Sequence, residues 1–324
     1  MHESRRRLQP ARHLGLLLMA TDKTASAQQV GVFFFFCMLL SFSTMEAYGK
    51  WLSQTFPVLQ VVWARYTFHF ILIVAVMAVL RVLGRGPRFH RSHRPRAQIV
   101  RSVFLFGMTF FYFHALARLP IAEATAIIFT APLIMSVLSG VTLGERVGWQ
   151  EWCAALIGFV GVLIVVQPFA LIAAMTGNPD ALPPGTLTGV AAGITGAFLF
   201  AFYMLSSRFV SVVDPPETGL LYSSLAGVVA TSATVPFDWQ MPDAAGWGML
   251  AVIGGFGALG QYLAGFAFAR VQASKLGPLT YIQLLFAVSY GILLFDTVPG
   301  INTLAGAGLI VLAGIYTYRR TTRS

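Results

Sequence analysis

The chain is predicted to be an all-α membrane protein with ten transmembrane helices, arranged as two inverted five-helix repeats. Three observations lead there. Of 324 residues, 56% are hydrophobic and only 10% are charged, too little polar surface to coat a soluble globule of this size. Ten apolar runs reach the ~20 residues that a helix needs to cross ~30 Å of hydrocarbon. Finally, the second half repeats the first. Ala115, Ala117 and Arg118 match Ala267, Ala269 and Arg270; Leu156 follows Arg118 by 38 residues and Leu309 follows Arg270 by 39. Lys50 precedes Pro57 by seven residues, as Arg208 precedes Pro215.

The first five spans read as 29–49, 57–80, 98–118, 121–143 and 148–168, and the second five as 186–210, 216–237, 246–268, 273–295 and 300–318. Long uninterrupted runs favour helices over barrel strands, which are short and alternate apolar with polar residues. Because five is odd, tandem copies enter the membrane from opposite sides, and a site is expected where they meet. The resulting layout is a cytoplasmic arm (1–28), a first repeat (29–168), a periplasmic linker rich in Pro and Gly (169–185), a second repeat (186–318) and a cytoplasmic tail (319–324).

A net charge of +10 would suggest nucleic acid in a soluble protein, but its distribution fits the positive-inside rule. With both termini cytoplasmic, nineteen of the twenty-two Lys and Arg fall inside, seven of them between Arg81 and Arg101. Lys50 and Arg118 lie outside, and Arg65 is within the membrane. The expected location is the inner membrane of a bacterium, with a small-molecule solute and lipid as partners, no nucleic acid, and a monomeric or homodimeric state. Cys37 and Cys153 fall inside spans and read as small apolar residues, so neither a disulfide nor a metal or other cofactor is expected. The arm, with its basic start and short apolar run from Leu14 to Ala20, reads as a disordered cytoplasmic tail, a signal-peptide mimic or an overlong start.

Charged and polar residues within the spans carry the most information, because each costs roughly 2.5–3.5 kcal/mol at a helix centre unless it has a partner or a watery cavity. Glu46 reads either as half of a salt bridge with Arg65 or Lys50, or as a site for a proton or cationic substrate. Arg65, whose rigid fork suits a carboxylate or phosphate, is expected to face a cavity. His69 lies one turn from it on the same face and is expected to make a helix–helix hydrogen bond. His114, Glu123 and Thr130 are placed near the outer end of the third and fourth spans. Tyr203 and Gln261 are candidate lining in the second half, with Tyr281 and Gln283 on the ninth span. Pro132 and Pro278 are candidate hinges, since an interior proline frees the carbonyls of Ile128 and Ser274. The aromatic run Phe110, Phe111, Tyr112 and Phe113 is expected to face lipid rather than a cavity. Gly254, Gly255, Gly257 and Gly260 are expected to allow close helix crossings.

The fourth and fifth spans resemble the EamA domain of the drug/metabolite transporter superfamily. The resemblance is carried by the Ala115-x-x-x-Leu119-Pro120 start, Pro132, the Leu143-Gly144-Glu145-Arg146 turn and the Gly-rich helix that follows. The start with Glu46 and Lys50 and the Trp63-Ala64-Arg65-Tyr66 segment are similar to that family's first two helices. In the second copy Phe295-Asp296-Thr297-Val298 replaces the Leu-Gly-Glu-Arg turn. The resemblance runs from residue 30 to 318 and implies a secondary transporter of small metabolites without ATP hydrolysis.

The residues themselves hold no phosphate-binding glycine loop, metal-spaced cluster or nucleophile elbow. Export of an amino-acid-like solute, by alternating access and with protons as an open coupling choice, is therefore the leading expectation. Uptake or exchange of a vitamin or nucleoside-like metabolite is the alternative within that class. A membrane-embedded sensor, or an enzyme using His69, His114, Glu46 and Glu123, is the alternative outside it.

Overall fold

A computed structural model describes residues 9–84, 92–143, 149–167, 183–211, 213–214, 216–271 and 276–321. The described chain is helical: α1 (Gln9–Leu52), α2 (Val58–Val82), α3 (Pro95–Arg118), α4 (Ile121–Ile128), α5 (Ala131–Leu143) and α6 (Trp149–Val166) form the first half. The second holds α7 (Thr186–Ser211), α8 (Pro216–Thr234), α9 (Ala244–Phe268), α10 (Ile282–Phe295) and α11 (Ile301–Thr321), with 3₁₀ turns at Val235–Asp238 and Gly277–Tyr281. Seven helices are long and apolar enough to cross a membrane, and Trp152–Val166, Leu279–Phe295 and Ile301–Tyr316 are shorter apolar helices. The protein is thus multi-pass.

Local chemistry sets the boundaries. Pro57 and Pro120 immediately precede α2 and α4, and Pro95 opens α3, where a missing N–H costs nothing. Asp243 caps α9 by accepting from the Gly246 N–H at 2.7 Å. Asp296 ends α10 in the left-handed region at φ 51°, a conformation Asp tolerates better than most residues.

One expectation is corrected here. The arm expected to be disordered is helical from Gln9, continuous with the first span; no proline interrupts the chain between Ala11 and Leu52, so nothing local stops the helix. Residues 144–146 of the expected Leu143–Arg146 turn and most of the 169–185 linker lie outside the described residues.

The two halves interleave. α3 packs along α7, and the repeat-related pair α9 and α1 packs in the same way. α3 meets α8 as α9 meets α2, α4 and α5 meet α7 as α10 meets α1, and α6 crosses α11. At that last crossing a Cβ on Gly306 would strike the Gly161 carbonyl, so both backbones come within reach only because neither position carries a side chain. Of the four glycines expected to permit crossings in α9, Gly254 abuts Phe68 and His69, Gly257 Met45 and Gly260 Phe42, whereas Gly255 faces open space.

α4 is the hub. Seven of its eight residues are buried, Thr125 among them, and it touches α1, α3, α6, α7, α10 and α11, as expected of a helix apolar on all sides. The chain breaks after it at Phe129–Thr130, immediately before Pro132 in the first turn of α5.

Candidate functional site

Around α4, four helices bring polar side chains together. Glu46 on α1 is buried, and its Oε1 accepts from Gln283 Nε2 on α10 at 2.8 Å. Its Oε2 makes no well-formed hydrogen bond, although the Tyr112 hydroxyl and the Arg65 guanidinium lie close enough to act on the carboxyl. Tyr112, fully packed on α3, shares a 3.1 Å hydrogen bond with Thr125 of α4.

Arg65 projects from α2 into the same region. Its Nη1 donates to Thr109 Oγ1 at 3.3 Å, its Nε faces Met45 Sδ at 3.4 Å, and its guanidinium carbon lies 4.9 Å from the Tyr66 ring centre and 5.9 Å from that of Phe113. Among the described residues no carboxylate pairs with it. The expected salt bridge from Arg65 or Lys50 to Glu46 is therefore absent: Lys50 Nζ donates instead to the Leu116 and Leu119 carbonyls, both at 2.7 Å, where the end of α3 presents unpaired acceptors.

His69, one turn beyond Arg65, is 6% exposed and its Nε2 has no partner, which corrects the expected helix–helix hydrogen bond. Among the described residues, four buried polar atoms lack partners: Ser43 Oγ, Glu46 Oε2, Thr67 Oγ1 and His69 Nε2. They belong to one short stretch of α1 and one of α2. Leaving such a group unpaired costs ~1–3 kcal/mol, which marks Glu46 Oε2 and His69 Nε2 as candidate contacts for a polar ligand or water.

The remaining candidates are dispersed. His114 turns to its own helix, with Nδ1 2.9 Å from the Phe110 carbonyl and its ring 4.2 Å from that of Phe110. Glu123 accepts from Thr303 at 3.3 Å at the α4–α11 contact. Thr130 donates to the Ile127 carbonyl at 2.7 Å, closing the end of α4. Tyr203 accepts from Arg101 at 2.9 Å, and Gln261 is half-buried on α9 without a hydrogen bond among the described residues. Pro278 stands in the first turn of a 3₁₀ segment rather than in mid-helix, and Ser274 lies outside the described residues.

Tyr281 sits at the break between that segment and α10. Its ring meets Phe129 edge to face at 5.7 Å, and its hydroxyl fills the space over Gly314. Phe129 and Tyr281 are separated by 152 residues, the same offset as Arg118 and Arg270. Both copies therefore interrupt their fourth span at equivalent positions, and the two interruptions touch.

Sequence reading missed Thr109 and Tyr112 and assigned Tyr112 and Phe113 to lipid; both rings are buried. The signal was present in the spacing, since Thr109, Tyr112, Phe113 and Leu116 recur at i, i+3, i+4 and i+7 and form one helix face. Two apolar cavities of about 400 and 300 Å³ lie elsewhere, the first beside Tyr281, Leu284 and Thr303 and the second beside Ile127, Leu133 and Phe198. Neither is lined by Glu46, Arg65 or His69, and their hydrocarbon walls suit lipid tails better than a polar solute.

Comparison with known proteins identifies the family of the chain. Residues 29–167 and 187–319 each match the model of the EamA-like transporter family. The chain is 27% identical over 288 residues to an S-adenosylmethionine uptake transporter of Rickettsia bellii, covering 89% of this chain and 92% of that protein. It is 30% identical over 279 residues to a riboflavin transporter of Vibrio cholerae, covering 85% and 88%. A pseudopaline exporter of Pseudomonas aeruginosa is 29% identical over 279 residues, covering 85% and 91%. One crystal structure superposes with a TM-score of 0.58 at 21% identity, covering 90% of this chain and 96% of its own; that likeness speaks to the fold.

Proposed function

Because the chain belongs to the EamA-like transporter family, whose members and relatives here are transporters rather than enzymes, we propose that it is a ten-span secondary carrier of the inner membrane. It moves a small amino-acid-like metabolite by alternating access, with export as the favoured direction. One observation carries this reading. Glu46 and Arg65 are opposite charges, held by helices of the same half near a cross-half contact to Gln283, and neither is neutralised by a salt bridge.

A zwitterionic solute supplies both missing partners. Its carboxylate meets the two-pronged donor set of Arg65, and its cationic group meets the free oxygen of Glu46. When no solute is bound, a proton is the alternative occupant of Glu46, which gives proton antiport a physical basis. Seven long apolar helices, with three shorter apolar ones beside them, support the reading of ten crossings. The exchange-related packing of α3 on α7 and α1 on α9 supports an inverted pair. Since the copies interleave, motion follows helix contacts drawn from both halves and is not a simple rocking of one five-helix copy against the other. Uptake or exchange of a vitamin-like solute is the second reading, favoured by the S-adenosylmethionine uptake and riboflavin relatives.

Counterflow in proteoliposomes tests the proposal, using radiolabelled S-adenosylmethionine, riboflavin and a set of zwitterionic amino acids. At least one is expected to show trans-stimulated accumulation. Arg65→Gln is expected to raise its KM tenfold or more, equivalent to ~1.4 kcal/mol, and Glu46→Gln to abolish the dependence of the rate on pH. Binding without counterflow across the whole set would identify a sensor instead.

A further inference from the structure

The repeat places two equivalent joints in the molecule, α3 on α8 and α9 on α2, and their chemistry differs. At the first joint Arg101 makes side-chain hydrogen bonds to both α7 and α8. Its Nε donates to Ser207 at 2.9 Å, its Nη1 to Ser223 and to the Gly219 carbonyl, both at 3.2 Å, and its Nη2 to Tyr203 at 2.9 Å, with the guanidinium 4.9 Å from the Tyr203 ring centre. Ser102, fully buried, lies 3.4 Å from Ser223 Oγ. The loop end of the joint is tied as well. Asp214 accepts from the His93 N–H at 2.8 Å, from Gln98 Nε2 at 2.9 Å and from Ser92 Oγ.

At the second joint the 152-residue offset puts Leu250, Ile253 and Gly254 where Gln98, Arg101 and Ser102 stand. Leu250 and Ile253 are fully buried, and Gly254 runs directly against Phe68 and His69. Among the described residues the hydrogen bonds that tie it lie at the loop end, and they are neutral. Gln60 donates to the Gln240 carbonyl at 2.8 Å and accepts from its N–H at 3.0 Å, beside a Trp63, Trp239 and Trp247 cluster.

Separating the first joint would strand a desolvated guanidinium and several hydroxyls, whereas at the second joint Gly254 lies on the Phe68 Cβ and the α2 backbone, and among the described residues the membrane part of α9 is held by one side-chain bond to α1, from Ser41 to the Phe256 carbonyl at 2.9 Å. We propose that the carrier moves asymmetrically: Arg101 and Ser102 pin α3 to α8 throughout the cycle, while α9 swings over α2 about its Gln240 end and carries the cover of the Arg65–His69 face with it. Arg101 is thereby a positioning residue outside the solute site. Gly257, one turn along from Gly254, also faces His69 Nδ1, so displacement of α9 acts directly on the orphaned imidazole. The inference rests on the alternating-access reading.

Double electron–electron resonance on spin-labelled protein in nanodiscs tests it without any solute, in a background with Cys37→Ala and Cys153→Ala. One label pair, Val100→Cys with Leu225→Cys, spans the pinned joint, and another, Val252→Cys with Ile71→Cys, spans the sliding joint; all four positions are exposed. The pinned pair is expected to give a single narrow distance and the sliding pair a distribution at least twice as wide. Adding Arg101→Leu is expected to broaden the pinned pair. A pinned pair as broad as the sliding one overturns the inference and leaves alternating access standing, while narrow single distances at both joints count against both. The comparison in the parent protein decides the matter even if Arg101→Leu fails to fold.

Discussion

Single side chains in this protein are decided by what stands opposite them. Gly314 shows this most sharply, because the only atom that fits over its backbone is the Tyr281 hydroxyl. Gly314→Ala is expected to destabilise the protein by about 1–3 kcal/mol through overpacking, read as a lowered Tm in detergent. Adding Tyr281→Leu should recover part of the loss; no recovery would mean that the clash is not with that ring. Glu46 shows the same dependence. Its sequence context allowed a salt bridge with Arg65 or Lys50, yet its partner is Gln283, from the other half of the chain. Lys50 meanwhile satisfies the last carbonyls of α3.

At the scale of elements, helix ends are fixed across the tertiary structure as much as within each helix. The residue before α3, Arg94, makes no side-chain cap. The acceptor comes from Asp214, which lies between α7 and α8 and takes the His93 N–H, Gln98 and Ser92. Burial pushes the Asp214 carboxyl up, but the bonds from Ser92, His93 and Gln98 and the charge on His93 outweigh it and hold the carboxyl below the usual carboxylate range. A depressed folded-state value means a contribution that is complete above the ordinary carboxylate pKa, ~3.9, and is lost as pH falls through the lower one. Asp214→Ala is expected to cost ~1 kcal/mol, as loss of a helix cap does. The fall in Tm should be present at pH 6 and shrink below about pH 4; a cost that stays unchanged down to pH 2 would assign the effect to another group.

For the whole molecule, the inverted arrangement makes a claim about sidedness. The proposed ten crossings would put both chain ends on one face, and by the distribution of Lys and Arg that face is expected to be cytoplasmic. A single cysteine introduced by Ser324→Cys, in protein lacking Cys37 and Cys153, is expected to resist a membrane-impermeant maleimide in intact spheroplasts and to react after permeabilisation. Reaction in intact spheroplasts would place the C-terminus outside and overturn the proposed orientation.

Composition, run length and the repeated Ala-x-Ala-Arg segments determined by themselves that this is a helical membrane protein built from two copies, because the bilayer imposes its thickness and polarity on every span independently of the others. The helices of the site were likewise legible from their buried charges, Glu46 and Arg65, whose cost in lipid marks them without any knowledge of neighbours. Only the tertiary structure decided who pairs with whom. It chose Gln283 over Arg65 for Glu46, brought Tyr112 inward, turned His114 back on its own helix, and set Arg101 against α7 and α8. Those outcomes depend on contacts between helices far apart in the chain, and a periodicity of 3.6 residues identifies a face but not the surface it will meet.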